Sequence, residues 1–168
     1  MNGKIRTEAV IGAGTTLSFE DPKKPGDYIV LEEARSIGAT GTQGEFVETT
    51  PIKATTRTYI PGLKTPPDKE ITGNDVPGDA NQETFLKLAE DNASVNMKVE
   101  YSNGRVGTFT LVLSGWQIND AQGGEALMWT VYGKQSGDVN WNGATEPNGE
   151  EPNGNGEETN DEAGERAA

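Results

Sequence analysis

The chain has 168 residues, no cysteine, no histidine and a formal net charge of −13 at pH 7. This composition excludes a disulfide framework, thiolate or imidazole metal sites and Ser-His-Asp chemistry. The acidic balance argues against a protein that grips phosphates, because that binding depends on neutralisation by Lys and Arg. With 22 glycines, nine prolines and 32% hydrophobic residues, the chain favours a loop-rich, mainly β fold.

Composition divides the chain into an N-terminal arm (1–11), a folded core (12–136) and an acidic tail (137–168). From Gly143 onward there are eight acids, one base and no Val, Ile, Leu, Met or aromatic residue. Such a segment buries too little apolar surface to offset its ordering entropy, so we expect the tail to be flexible. No apolar run approaches the roughly 20 residues that a membrane span needs.

The first half of the core contains short strand patterns separated by Gly and Pro. Alternation predicts strands at 15–20 and 28–31, and the sheet is expected to resume at 69–73. Between the strand predicted at 28–31 and the one predicted at 69–73 lies a polar, Thr-rich segment, which we interpret as a long loop over about 41–67. Within this loop, 53–60 is compatible with an exposed ribbon. Loops of this length are usually functional or disordered.

The second half of the core predicts one helix followed by three strands. Asp79 to Gln82 has the form of a capping box, and Phe85 and Leu88 follow at helical spacing, which predicts a helix at about 80–91. The predicted strands are 94–101, 105–113 and 127–132, and the first two are joined by an Asn-Gly turn. This order predicts a β-sandwich or barrel with one helix packed against it.

The local motifs do not identify a catalytic or binding site. Gly12-Ala13-Gly14 lacks the strand, third glycine and helix of a nucleotide loop, so a bend is expected there. Residues 138–143 match the first six positions of a calcium loop, but Gly149 stands where a bidentate Glu is needed. Trp116 and Trp141 could form sugar-binding platforms or pack on the core. We predict no enzyme activity, no metal site and no cofactor.

Several short segments, spread over about 11–136, are informative through their order and spacing. They are Ile11-Gly12-Ala13-Gly14-Thr15-Thr16-Leu17, Arg57-Thr58-Tyr59-Ile60-Pro61-Gly62-Leu63-Lys64, Asn81–Leu88, Met97–Val106, Ser114-Gly115-Trp116 and Trp129–Gly133. None of them is a catalytic signature. Together they resemble the major tail tube proteins of lambda-like bacteriophages with long, non-contractile tails.

The resemblance implies a structural virion protein that is assembled in the host cytoplasm. Its copies would form hexameric rings that stack into a hollow tail tube, and viral DNA would transit the lumen without sequence-specific binding. Expected partners are other copies of the chain, a tape-measure protein, and tail-tip and tail-terminator proteins. An acidic lumen would repel phosphates and let DNA slide.

The resemblance also implies roles for individual residues. The long loop would bridge protomers and rings, and the candidate contacts within it are Phe46, Val47, Thr49, Ile52, Thr55, Arg57 and Tyr59. The candidate contacts of the N-terminal arm are Lys4, Ile5 and Arg6. Lys98 and Glu100, on the polar face of their strand, are candidates for the lumen or for an ordinary solvated surface.

Two alternatives remain open at this point. One is an all-β carbohydrate-binding module that uses Trp116 or Trp141. The other is a tube protein of a contractile tail or secretion system.

Overall fold

The computed structural model describes residues 8–142. This part of the chain is mainly β, with nine strands and one helix. The strands are β1 (Thr16–Glu20), β2 (Tyr28–Val30), β3 (Ala34–Ser36), β4 (Gln43–Glu48), β5 (Tyr59–Thr65), β6 (Asp68–Asn74), β7 (Ser94–Glu100), β8 (Val106–Ile118) and β9 (Met128–Asn142), and the helix is α1 (Ala80–Glu90).

Seven strands form one antiparallel sheet in the order β2-β1-β7-β8-β9-β6-β3. The sheet curls into a half-barrel, which confirms the predicted mainly β, barrel-like class. β4 and β5 pair only with each other and form a separate two-stranded hairpin. The hairpin is therefore an appendage of the sheet and not part of it.

The core lies between one face of the sheet and α1. Because side chains alternate along a strand, each long strand sends every second residue to this face. Phe85 of α1 packs 5.2 Å from the Phe19 ring and 6.1 Å from the Trp129 ring, measured between centroids. The buried residues of the sheet include Leu17, Phe19, Ile71, Val95, Met97, Val99, Phe109, Leu111, Leu113, Trp129 and Val131.

The helix begins as predicted, but its capping box is only half formed. Asp79 Oδ1 accepts a hydrogen bond from the backbone N–H of Asn81 at 2.9 Å, which satisfies one free donor of the first turn. The Gln82 side chain does not reach back to the cap. It donates to Asp75 Oδ1 and accepts from the Val76 N–H, so it tethers the β6–α1 connection. No helix in the range 8–142 is long and apolar enough to cross a bilayer.

Three boundaries differ from the sequence-based expectation. The segment expected to be a long loop contains β4 and β5, and the turn between them occupies most of the predicted ribbon at 53–60. β8 continues beyond Leu113, since Gly115 takes a positive φ of 104° where the pairing register shifts and so carries the strand past the expected end. β9 continues to Asn142, six residues beyond the boundary expected at 136, because its last residues pair with 106–108 of β8.

Candidate functional site

The hairpin of β4, β5 and the turn between them, here called the assembly arm (residues 43–65), exposes an unusual amount of apolar surface. Phe46 is 79% exposed, Leu63 is 88% exposed and Ile52, in the turn, is fully exposed. Hydrogen bonds hold the ribbon together near its turn, from the Thr49 N–H to the Thr58 carbonyl and from the Thr58 N–H to Thr50 Oγ1. Large apolar side chains left in water on an ordered ribbon indicate a contact surface.

All seven residues predicted to make the loop contacts lie on this arm, and all of them are exposed. They are Phe46, Val47, Thr49, Ile52, Thr55, Arg57 and Tyr59. Their role in contacts between copies stays a prediction. The sequence reading missed Leu63 and Ile60, although both belong to the Ile-Pro-Gly-Leu phrase on which the family resemblance partly rested.

The root of the assembly arm is fixed to the sheet by a buried lysine. Lys69 of β6 is 1% exposed, and its Nζ donates to the Ala39 carbonyl at 2.8 Å and to Thr40 Oγ1 at 2.7 Å. The ammonium also lies 4.9 Å from the centroid of the Phe109 ring. Burial lowers the pKa of Lys69 from 10.5 to about 8.

A second buried polar residue supports the same root. Gln135 of β9 accepts from the Gly41 N–H at 3.5 Å and donates to the Gly137 carbonyl at 2.9 Å. Thr42 Oγ1 donates to Asp138 Oδ1. The segment just before β4 is therefore held by side chains of two neighbouring strands, β6 and β9. Sequence reasoning missed Lys69 and Gln135, although the alternation Lys69–Ile71–Gly73 places the lysine on the buried face of β6.

The face of the sheet opposite the core is mainly polar, although Tyr28 and Val112 are partly exposed on it, and no helix of residues 8–142 covers it. It carries hydroxyl, amide and charged side chains, including Glu20, Asp68, Glu70, Asn96, Lys98, Glu100, Thr108, Thr110, Lys134 and Ser136. Four of these are acidic and two are basic, so the face has a small excess of negative charge. We call it the polar sheet face.

Most charges on the polar sheet face are paired or hydrogen-bonded within it. Lys98 lies 2.6 Å from Glu100 and Lys134 lies 3.0 Å from Asp68, both as nitrogen-to-oxygen distances. Asn96 joins two strands, since it donates to Glu20 Oε2 at 2.7 Å and accepts from Thr110 Oγ1 at 2.9 Å. Lys98 and Glu100 thus share this face as predicted, while their place in a lumen stays a prediction.

The candidate residues of the N-terminal arm, Lys4, Ile5 and Arg6, lie outside the described residues. The junction that follows them is a bend. The Thr15 N–H donates to the Gly12 carbonyl, Gly14 has a φ of 87°, and Ser102 Oγ donates to the Ile11 carbonyl. This agrees with a turn at Gly12–Gly14 rather than with a phosphate loop.

Residues 138–142, the described part of the segment that partly matches a calcium loop, form the end of a strand and not the junction loop expected there. Asp138–Asn142 belongs to β9, and Asn140 and Trp141 pair with Thr108 and Gly107 of β8. Successive side chains of an extended strand point to opposite faces and cannot surround one ion. Between residues 8 and 142 no group of three acidic side chains is arranged to hold a metal ion.

Trp116 and Trp141 do not form a joint aromatic platform. Trp116 pairs with Val131, while Trp141 pairs with Gly107 at the other end of the β8–β9 ribbon. Trp141 packs on Tyr101, with 6.2 Å between ring centroids, and an added Cβ at Gly107 would lie 2.8 Å from its ring. Trp141 therefore packs against the end of the sheet.

A curled sheet with one mainly polar face and a separate hairpin that exposes apolar side chains is typical of a structural subunit. The chain belongs to the phage tail tube protein family, whose model matches residues 24–144. Its role is therefore structural, as a tail tube component of a phage virion. No curated protein matches the sequence at a significant level.

Solved structures share the fold at low sequence identity. A chain in the six-fold symmetrised baseplate of the anti-feeding prophage has a TM-score of 0.65 and 13% identity, over 82% of this chain and 97% of that one. A chain of the empty GTA particle tail has a TM-score of 0.65 and 11% identity, over 80% and 99%. The SPP1 tail tube has a TM-score of 0.61 and 14% identity, over 82% and 81%.

Proposed function

We propose that copies of this chain form hexameric rings that stack into a hollow tube, and that the polar sheet face lines the lumen through which viral DNA passes. The observation that carries this proposal is the asymmetry of the sheet in a member of the tail tube family. One face forms the core and is largely covered by α1, whereas the other face is mainly hydrophilic and has no helix over it among the described residues. A surface that lines a water-filled lumen for DNA would have this hydrophilic composition.

The charges of the polar sheet face suit passage rather than binding. A surface that holds DNA presents unpaired Lys and Arg to phosphates. Here both lysines of the face are paired with carboxylates, and acids outnumber bases. Lys98 and Glu100 are proposed as lumen residues on this basis. DNA would meet hydroxyl and amide groups and a weak negative potential, so it would not be retained.

The assembly arm is proposed to join neighbouring copies within or between rings. Its exposed apolar side chains have no partner in the described part of the subunit, and burial against another copy would supply one. The N-terminal arm is proposed to contribute further contacts through Lys4, Ile5 and Arg6. The tape-measure, tail-tip and terminator proteins are the proposed partners, and assembly is proposed to occur in the host cytoplasm. The division into an arm, a tube domain and an acidic tail also stays a proposal.

Negative-stain electron microscopy tests the assembly directly. We expect the purified chain, alone or seeded with tail tips, to form rings or hollow tubes. Deletion of residues 44–61 should leave a folded subunit that no longer polymerises. Normal polymerisation of this deletion variant would contradict the role of the assembly arm, and a protein that stays monomeric even on tail tips would contradict the tube itself.

The absence of native cysteine allows a clean test of the lumen face. Ser136→Cys places a thiol on the polar sheet face, and Glu83→Cys places one on the exposed side of α1. In free subunits both thiols should react with a maleimide–streptavidin conjugate. In assembled tubes Ser136→Cys should be protected and Glu83→Cys should still react. Equal labelling of both variants in tubes would rule out a lumen lined by this face.

A second candidate is a tube enclosed by a contractile sheath. It is favoured by a chain of the sheath-tube complex of an extracellular contractile injection system, whose TM-score of 0.58 is similar to that of the SPP1 tail tube at 0.61. Electron microscopy of complete particles separates the two, because a sheath around the tube would identify the contractile type and a bare tube the non-contractile type.

A further inference from the structure

The assembly arm is joined to the seven-stranded sheet by two connections that lack strand pairing. The first connection is 37–42, between β3 and β4, and the second is Pro66-Pro67, between β5 and β6. Because proline has no backbone N–H, the second connection cannot donate a hydrogen bond to a neighbouring strand. In the first connection, the backbone of 39–42 forms no hydrogen bond to the backbone of the sheet. The arm is therefore attached to the sheet without a backbone ladder.

Buried side chains of the sheet hold the first connection instead. Lys69 Nζ of β6 donates to the Ala39 carbonyl at 2.8 Å and to Thr40 Oγ1 at 2.7 Å. From the neighbouring strand β9, Gln135 Oε1 accepts from the Gly41 N–H at 3.5 Å. Lys69 is 1% exposed and Gln135 is 3% exposed, so both side chains reach the connection from inside the fold. We call Lys69, Thr40 and Gln135 the arm latch.

The backbone of the first connection does not fix the direction of the arm by itself. Gly38 has a φ of 70° and Gly41 a φ of 138°, a region that glycine enters without strain. At Gly38 the chain still lies against β6, since an added Cβ would be 3.1 Å from the Glu70 carbonyl oxygen. Beyond it, Gly41 meets no atom within 4 Å of an added Cβ. The chain thus leaves the sheet between two glycines, and the latch binds the residues that lie between them.

An open cleft lies between the two connections of the arm. It has a volume of about 570 Å³ and is lined by 39–45 on one side and 65–67 on the other. The strands of the arm pair only with each other, so no ladder to the sheet spans this cleft. The arm has space in which to change direction, and the latch is the contact that restrains it.

We propose that Lys69, Thr40 and Gln135 position the assembly arm, so that the arm of a free subunit already points in the direction in which it meets a neighbouring copy. This inference rests on the proposed function, because it concerns how the arm reaches its partner. Holding the arm in one direction removes part of the ordering entropy that binding would otherwise cost. A subunit whose arm takes the binding direction only part of the time binds more weakly by that fraction.

Spin labels on free subunits measure the direction of the arm without any assembly. Ile52→Cys carries one label in the exposed turn of the arm, and Glu83→Cys carries the other on the exposed side of α1. Electron–electron double resonance should give one narrow distance distribution in the otherwise wild-type chain. Thr40→Val and, separately, Gln135→Met should broaden it, whereas Thr40→Ser, which keeps the hydroxyl, should not. A broad distribution in the otherwise wild-type chain, or unchanged widths in both variants, would overturn the proposal.

The same variants test whether the direction of the arm matters for the tube. Thr40→Val should raise the critical concentration for assembly on tail tips by about tenfold, which corresponds to an arm that is correctly placed about a tenth of the time. Thr40→Ser should assemble like the wild type. Assembly is compared under conditions in which urea titration shows every variant to be fully folded, so that a loss of stability does not produce the effect.

A matched control separates the latch from the general loss of a threonine hydroxyl. Thr84 Oγ1 donates to the Ala80 carbonyl at 2.8 Å on α1, and Thr84→Val should leave both the spin-label distances and the assembly unchanged. Normal assembly of Thr40→Val and Gln135→Met, while the wild type forms tubes, would show that the latch does not serve assembly, and the tube would stand. If the wild type forms neither rings nor tubes on tail tips, the proposed function fails, and the spin-label distances still decide whether the latch positions the arm.

Discussion

Replacing Lys69 by methionine should remove a pH dependence of stability that the wild type shows in alkaline solution. Lys69 is buried, and its ammonium holds the Ala39 carbonyl and Thr40 Oγ1 at the root of the assembly arm. Methionine has a similar length and no charge. It therefore keeps most of the packing and removes the titrating group.

The magnitude follows from the lowered pKa. Burial lowers the pKa of Lys69 from 10.5 to about 8, and each pKa unit is worth about 1.4 kcal/mol, so the buried charge costs about 3 kcal/mol at neutral pH. Between the two pKa values the unfolded chain binds more protons than the folded chain. The free energy of unfolding therefore rises with pH in this window, by about 2–3 kcal/mol from pH 7 to pH 10.

The value at neutral pH is a poor test, because two effects of similar size oppose each other. Methionine removes the cost of the buried charge, but it also leaves the Ala39 carbonyl and the Thr40 hydroxyl without their donor, at about 1–3 kcal/mol each. The change of the unfolding free energy with pH is not affected by this cancellation. The difference in unfolding free energy between wild type and Lys69→Met should shift in favour of the wild type as the pH rises.

Urea denaturation of unassembled subunits at several pH values measures this slope. Lys64→Met is the matched control, since it removes an exposed lysine and should give a curve parallel to that of the wild type. Hydrogen exchange at residues 39–42 should also accelerate in Lys69→Met, because the arm root has lost its main donor. Parallel pH profiles for the wild type and Lys69→Met would refute the account of a desolvated ammonium at this position.

Three further substitutions test the packing and capping of the helix and the packing of the sheet. Phe85→Ala should lower the unfolding free energy by about 3–5 kcal/mol in urea titrations, since the ring is fully buried against the sheet, and a loss below about 1 kcal/mol would contradict this packing. Gly107→Val should cost about 1–3 kcal/mol and shift tryptophan fluorescence, because its side chain would collide with Trp141, and an unchanged spectrum would argue against that contact. Asp79→Ala should cost about 1 kcal/mol while Asp79→Asn keeps most of the stability, and equal losses for both would show that the cap to Asn81 is unimportant.

The parts of the fold that could be predicted from sequence are those with strong local signals. β7 has Val95, Met97 and Val99 on one face, and its turn contains Asn103-Gly104, in which Gly104 has a φ of 89°. The sequence of the helix shows both a capping residue, Asp79, and apolar residues at helical spacing. These elements were predicted within a few residues because alternation, helical spacing and turn chemistry act over short distances.

The other elements of the fold depend on contacts between residues that are distant in the sequence, and local patterns do not reveal such contacts. The strands of the assembly arm are exposed on both faces, so no alternation marks their register. β3 has three residues and exists only because it pairs with β6. Gly115 looked like a strand end, but it makes a bulge through which β8 continues. Lys69 is not expected to be buried, because lysine normally indicates a solvent-exposed position, and only its alternation with Ile71 suggests otherwise.

The edges of the sheet show why the assembly arm matters for the proposed tube. The outermost strands, β2 and β3, have three residues each, so they offer few backbone hydrogen bonds to a neighbouring sheet. Short edges protect the free subunit from unwanted strand pairing. For the same reason they would hold a ring together weakly. A proposed tube whose sheets meet at such edges needs a second source of binding energy. The assembly arm, with its exposed apolar side chains, is the element of the described chain that is suited to supply it.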